Sequence, residues 1–226
     1  MAAPTSSCSI RDATPADLDQ VVQLVLAAMP HEPHWNYRFA HKDEFPDDHV
    51  KFTRLLYEQF ISPANDDWRV TVAEASDDGT TNIVGFTFGP DYEPQNPMAF
   101  IARSGGAQRR DIDPRRQEAF KTIGNREKQQ FFDSVWGDQQ LHLQILGVHP
   151  DCWRRGIGSK LVRWGVDLAS KEKIPLTVLA SSLGLSLYTR LGFRDLGSSV
   201  TQVPGEVEKV DTEALVYEVS SAIAVA

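Results

Sequence analysis

Cysteine is scarce in this chain. Of 226 residues only Cys8 and Cys152 are cysteines, and Cys8 stands in a stretch that reads as a frayed N-terminus. A disulfide framework is therefore excluded as the basis of the fold. Long apolar runs are missing too: none reaches the roughly 20 residues that a transmembrane helix needs. The opening Met1-Ala2-Ala3-Pro4-Thr5-Ser6-Ser7 has neither the basic nor the apolar region of a secretory leader, so a soluble, cytoplasmic protein is expected. An excess of positive charge is also lacking. Lys and Arg number 23 against 31 Asp and Glu, a net charge of -8. That sign disfavours non-specific binding to nucleic acid or anionic membrane and suits a cationic partner such as a protonated amine. Histidines 31, 34, 41 and 49 do not compose a metal motif. His31-Glu32-Pro33-His34 has the wrong spacing for a zinc helix and a proline inside it, so no metal is expected.

Apolar residues make up 41% and charged residues 24%, an ordinary globular balance. The length suits one domain, with residues 1–8 as a flexible tail and 9–226 as a single unit. Ser9–Arg11 reads as a short strand. Thr14-Pro15-Ala16-Asp17 opens a helix, with Thr14 as N-cap and Pro15 at the first position, and Leu18, Val22, Val25 and Met29 follow at helical spacing. Pro30 and Pro33 end it. A second helix spans Asp47–Phe60. Arg69–Ala75 and Ile83–Phe88 form a hairpin around a polar turn. Residues 89–113 are irregular. Asp113-Pro114 begins a polar helix toward Trp136, with a break expected near Gly124. Its many basic residues are interspersed with acids, the pattern of a solvated face. Phe120, Phe131, Phe132 and Trp136 suit either a pocket cover or plain core packing. Leu141–Val148 is the clearest strand, followed by a helix from Gly156 to about Lys171, a strand Ile174–Ala180, a short helix Ser186–Leu191 and strands Phe193–Leu196 and Ala214–Val219. The order predicts an α/β fold with a mixed sheet and helices on its faces.

The chemistry is concentrated between Leu141 and Arg194. Val148-His149-Pro150-Asp151-Cys152-Trp153-Arg154-Arg155-Gly156-Ile157-Gly158-Ser159 runs from a strand through a turn into a helix opened by two glycines. Amide groups at a helix start are unpaired and carry partial positive charge. Glycine lets a phosphate approach that backbone, and Arg154 and Arg155 add cationic donors. This reads as a pyrophosphate cradle; taken alone, the two glycines equally suit tight strand–helix packing. The spacing matches neither the P-loop nor the Rossmann fingerprint.

The stretch resembles the GNAT acetyltransferase superfamily, whose acyl-CoA loop reads [QR]-x-x-G-x-[GA] after a strand ending in Val-x-Pro. Here Val148-His149-Pro150 and Gly156-Ile157-Gly158 match, and Leu187-Tyr188-Thr189-Arg190-Leu191-Gly192-Phe193 matches the family's later Tyr helix and Leu-Gly-Phe turn. Trp153 departs from the pattern, standing where the family keeps Gln or Arg. The likeness is strongest over about residues 140–196. It implies the GNAT fold, a mixed and mostly antiparallel sheet of six to seven strands flanked by helices. It also implies transfer of acetyl from acetyl-CoA to an amine, that of a small molecule first. The charge balance adds the expectation of no nucleic-acid or membrane partner, and a monomer and a homodimer both stay open.

Carried over by position, Leu146, Gly147 and Val148 would pair with the CoA pantetheine, and Arg154, Arg155, Gly156, Ile157, Gly158 and Ser159 would hold the pyrophosphate. The thioester would lie where the strands Leu141–Val148 and Ile174–Ala180 splay, with the Val148 N–H as donor to its carbonyl oxygen. Tyr188 matches the general acid. His142 occupies the place of a catalytic base and, with Gln144, shares a face of its strand; it equally suits a structural hydrogen bond. Two other readings stay open: a GNAT-fold protein that holds CoA without turnover, and a protein acetyltransferase.

Overall fold

The computed structural model describes residues 8–64, 68–77, 80–90 and 106–219. In chain order these form β1 (Cys8–Asp12), α1 (Leu18–Ala28), α2 (Pro33–Arg38), α3 (Pro46–Ile61), β2 (Trp68–Asp77), β3 (Thr80–Pro90), α4 (Pro114–Glu127), β4 (Leu141–Leu143), β5 (Ile145–Val148), α5 (Ile157–Glu172), β6 (Leu176–Ser181), α6 (Ser182–Arg190), β7 (Arg194–Gln202) and β8 (Lys209–Tyr217). One sheet has the order β1–β2–β3–β5 and the other β4–β6–β8–β7. Among the described strand pairs only β4–β6 is parallel. This is the α/β GNAT architecture the sequence implies. Of the expected tail, residues 1–7 lie outside the described residues, and Cys8 already pairs with Ala75. The expected irregular stretch also lies mostly outside them, over 91–105.

Local chemistry sets the element ends. The Asp17 carboxylate accepts from Thr14 N–H at 2.7 Å and from Thr14 Oγ at 2.9 Å, fixing the turn before α1. Helix α1 then buries Val21, Val22, Leu24, Val25 and Ala28 against α3 and the hairpin. Pro33 does not simply end a helix. It starts α2, where its missing N–H costs nothing, and Glu32 caps that helix by accepting from His34 N–H at 3.2 Å. Gly124 does not break α4. Instead the helix widens into a π turn over Lys128–Asp133 and closes at Ser134–Trp136.

The expected strand Leu141–Val148 is two strands in two sheets. Gln144 belongs to neither, so His142 and Gln144 do not share one strand face. Leu141, His142 and Leu143 pair in parallel with Leu176, Thr177 and Val178. Ile145 to Val148 pair antiparallel with Phe88 to Gly85. Two glycines permit this crossing. A Cβ on Gly89 would lie 1.9 Å from the His142 carbonyl oxygen, so β3 can pass β4 this closely only with glycine there. A Cβ on Gly147 would meet the fully buried Phe86 ring at 2.4 Å. Past Leu143 the chain turns from one sheet to the other, and β5 and β6 diverge as a wedge. Helix α5 spans its back: Leu161 is fully buried there, and its truncation to Ala would cost about 2–5 kcal/mol.

Candidate active site

Among the described residues strand β5 ends its sheet, so one of its edges is open. The His149 N–H bonds to Val84 O at 2.9 Å, which fixes the alternation. Gly147 and Ile145 turn their backbone groups to β3; Leu146 and Val148 turn theirs to the open edge. Of the three residues expected to meet pantetheine, Leu146 and Val148 thus present hydrogen-bonding groups to the wedge. Gly147 is spent on Phe86 and serves instead to let that ring lie flat. A strand-like amide ligand fits the edge, except that the Trp153 indole N–H already donates to Val148 O at 2.7 Å. The indole also packs edge-on against His31, with ring centroids 4.9 Å apart.

Beside that edge begins α5. Gly156 is its N-cap with φ +80°, and Arg154 adopts φ +63°, a conformation uncommon for a residue with a side chain. Arg154, Arg155 and Gly156 are exposed. The first-turn amides from Ile157 onward lack helical acceptors and carry the helix's positive end. Ile157 turns inward as a buried core residue. A Cβ on Gly158 would lie 3.4 Å from Leu187 and 3.8 Å from Val148, so this turn sits between α6 and β5. The arrangement fits a diphosphate ester with an amide-bearing arm.

At the other mouth of the wedge stand three polar side chains from distant parts of the chain. Ser181, the last residue of β6, donates from Oγ to Glu32 Oε2 at 2.9 Å. Tyr188 on α6 is 4% exposed, and its ring packs against Phe193. Burial, with the nearby Glu32 carboxylate adding to it, holds the phenol well above its ordinary value, so it keeps its proton. Next to them His34 Nε2 lies 2.9 Å from Asp211 O and 3.2 Å from Thr212 Oγ. Burial, the largest cause, lowers its basicity.

His142 lies elsewhere in character. It is 5% exposed, its Nδ1 is 2.9 Å from Thr177 Oγ, and Phe132 packs on its ring. Burial, with Lys128 acting the same way, pushes it down to about 3. The imidazole is neutral through the physiological range but far too weakly basic to titrate near neutrality, which departs from the setting expected of a base there. Glu32 and Ser181 went unread in the sequence. Their signal was the Glu-Pro pair at a helix start, considered there only for metal spacing. Among the described residues no group of His, Cys, Asp and Glu is arranged to hold a metal, and no helix is long and apolar enough to cross a membrane.

Comparison with known proteins bears on this geometry. Residues 122–195 match the family described as Acetyltransferase (GNAT) domain. An acetyltransferase of Stachybotrys chartarum is 25% identical over 217 residues, 93% of this chain and 90% of that one. Among solved structures, the Drosophila melanogaster polyamine N-acetyltransferase superposes with a TM-score of 0.62 at 15% identity, covering 94% of this chain and 100% of the other. A mosquito arylalkylamine N-acetyltransferase-like protein does so with a TM-score of 0.60 at 17% identity, covering 93% and 99%. At such identities those two likenesses are of fold alone. Residues 122–195 thus match a GNAT acetyltransferase domain, and the chain is similar to an acetyltransferase over nearly its whole length.

Proposed function

We propose that the protein transfers acetyl from acetyl-CoA to the amine of a small molecule, with Glu32 as the proton acceptor and Tyr188 as the proton donor. The observation that carries this reading is the meeting of Glu32, Ser181 and Tyr188 at the mouth of a wedge whose other side is an open strand edge and a bare helix start. The amides of α5, with Arg154 and Arg155, hold the diphosphate, and the open edge at Leu146 and Val148 receives the amide arm. Bound there, acetyl-CoA supplies an acyl group activated as a thioester. Glu32 takes the proton that the attacking amine must lose, directly or through a water, and Ser181 holds that carboxylate in place. The Val148 N–H donates to the carbonyl oxygen as it gains charge. Tyr188, kept protonated by burial, gives its proton to the departing sulfur.

His142 then serves as a neutral hydrogen-bonding group that fixes β4 against Thr177, and the base moves to Glu32. A small acceptor suits the site better than a peptide. Helix α4 runs over this side of the sheet, packing on α2 and β7. Substrates acetylated by fold neighbours, a polyamine among them, agree with a small amine.

Release of thiol from acetyl-CoA, followed across a panel of free amines and peptides, tests the reading. Free amines should support turnover, and Tyr188→Phe should lower kcat by roughly 10²-fold with acetyl-CoA affinity little changed. Turnover with peptides alone would overturn the substrate class; wild-type kcat in Tyr188→Phe would remove the tyrosine from the chemistry.

A further inference from the structure

Helix α4 covers the acceptor side of the sheet with an unusual inner face. A helix packed on a core normally presents an apolar stripe. On α4 the residues at that spacing are Gln117, Phe120, Gly124 and Glu127, and Glu127 is the one residue of the helix that is buried, at 3% exposure. Its neighbours fix where it lies. Seven residues, or about 10 Å of helix axis, separate it from Phe120. The Phe120 ring packs on His34 with centroids 5.3 Å apart, two residues beyond Glu32. On its other side Phe131 lies 3.0 Å from where a Gly197 Cβ would stand, and Phe132 packs on His142. Glu127 therefore sits in the layer between α4 and the sheet, along the line that leads from Glu32 toward β7.

That layer is polar from below as well. Ser181, Thr212 and Ser199 face each other across β6, β8 and β7. Thr212 meets His34, and Ser181 meets Glu32. Glu127 Oε1 and Ser199 Oγ are buried with no hydrogen-bond partner among the described residues. No described cation completes an ion pair with Glu127, although the neighbouring exposed Arg126 acts on its charge. Lys128 is taken by Asp133 at 2.6 Å. Arg38 donates to His34 O and lies over the rings of Trp35, Phe39 and Phe120. A buried carboxylate oxygen without a partner is costly, and a cation is the group that best offsets it.

We propose that Glu127 receives a second cationic group of the acceptor, which is therefore a dibasic amine, a linear diamine or a guanidino-amine, with its reacting nitrogen at Glu32. The reacting end rests on the acetyl-transfer reading; the distal contact does not. A carboxylate this deep cannot be reached by a bulky cation, so the distal group is a primary amine or a guanidine on an unbranched chain.

Calorimetric titration tests this, with CoA present and at pH 8. The probes are 1,4-diaminobutane, 1,5-diaminopentane, 1,6-diaminohexane and (4-aminobutyl)guanidine, each set against the monoamine of the same chain length. In the wild-type protein at least one dibasic probe should bind tenfold or more tightly than its monoamine. Glu127→Gln should bring that ratio to within about twofold of one, and Glu127→Asp should keep part of it. Gln matches the protonated carboxyl in shape, so the variant is expected to fold; circular dichroism and Tm check it. The wild-type ratio measured at pH 5.5 gives an answer without any variant, since it should fall as Glu127 takes up a proton. No preference for any dibasic probe, or an undiminished one in Glu127→Gln, overturns the proposal. Thiol release in the same series separates the two readings: an intact binding ratio with no turnover of any amine supports the distal site and counts against acetyl transfer.

Discussion

Glu32 and Ser181 are 149 positions apart in sequence, yet Ser181 Oγ donates to Glu32 Oε2 at 2.9 Å. The contact joins the capping residue of α2 to the end of β6, and it aims a carboxylate at the mouth of the wedge. Glu32→Gln keeps the size and the cap geometry but removes the proton acceptor. It is expected to lower kcat by about 10²–10⁴-fold, while Ser181→Ala, which only loosens the carboxylate, should cost about tenfold or less. Steady-state rates with one amine check both; equal losses would make Ser181 more than a positioning group.

His142 makes a different kind of prediction. Its folded-state value of about 3 lies below the ordinary 6.5, so the unfolded chain takes up a proton that the folded one refuses. Stability from this group is therefore full above about pH 6.5 and is lost as pH falls from there toward 3, by a few kcal/mol at most. Urea unfolding at pH 7 and at pH 4.5 should show the loss in the wild-type protein and a smaller one in His142→Asn. The pH dependence of kcat/KM should be the same in that variant as in the wild-type protein. A change in it would return His142 to the role of base.

Glu127 carries the opposite sign. Burial, opposed only weakly by Arg126, raises it to about 7 from 4.5. The unfolded chain releases this proton first, so stability falls as pH rises from about 4.5 to 7 and stays low above that. Glu127→Gln should raise Tm at pH 8 and leave it nearly unchanged at pH 4.5. An equal gain at both values would mean that the change repacks the helix rather than relieving a buried charge.

Gly156 opens the helix start at which the proposed diphosphate would rest. Its φ of +80° suits glycine, and a branched residue there would be strained by about 1–2 kcal/mol. In the wild-type protein, acetyl-CoA at a hundred times Kd should add about 2.7 kcal/mol of stability. Gly156→Val should abolish most of the accompanying rise in Tm, measured by scanning fluorimetry. An undiminished rise would move the diphosphate away from the helix start.

What the sequence made legible was local. The Val148-His149-Pro150 strand end, the Gly156-Ile157-Gly158 helix start and the Tyr188 turn are contiguous, and each is dictated by nearby backbone requirements. The break at Gln144 was invisible because Leu141, Leu143 and Ile145 alternate as one strand would. Only the pairing of each half with a different partner reveals it. Glu32 was hidden because its meaning comes from Ser181, far along the chain. Helix α2 was missed because Pro33 reads as a breaker when its position in the first turn is unknown. Glu127 looked like one more charge on a solvated helix, and only the sheet beneath shows it is covered.

The alternation along β5 should leave a mark on hydrogen exchange. Without ligand, the Val148 and Leu146 amides face the wedge with no described strand opposite, while the Gly147 and His149 amides are paired to Phe86 and Val84. Over four consecutive residues, protected and unprotected amides should therefore take turns, a pattern of strand edges rather than of loops. An acyl-CoA arm bound in the wedge would slow the first pair and leave the second as it was. On the proposed reading, the acyl-CoA arm would add one more strand-like row to β5, and this alternation of amides would report its arrival.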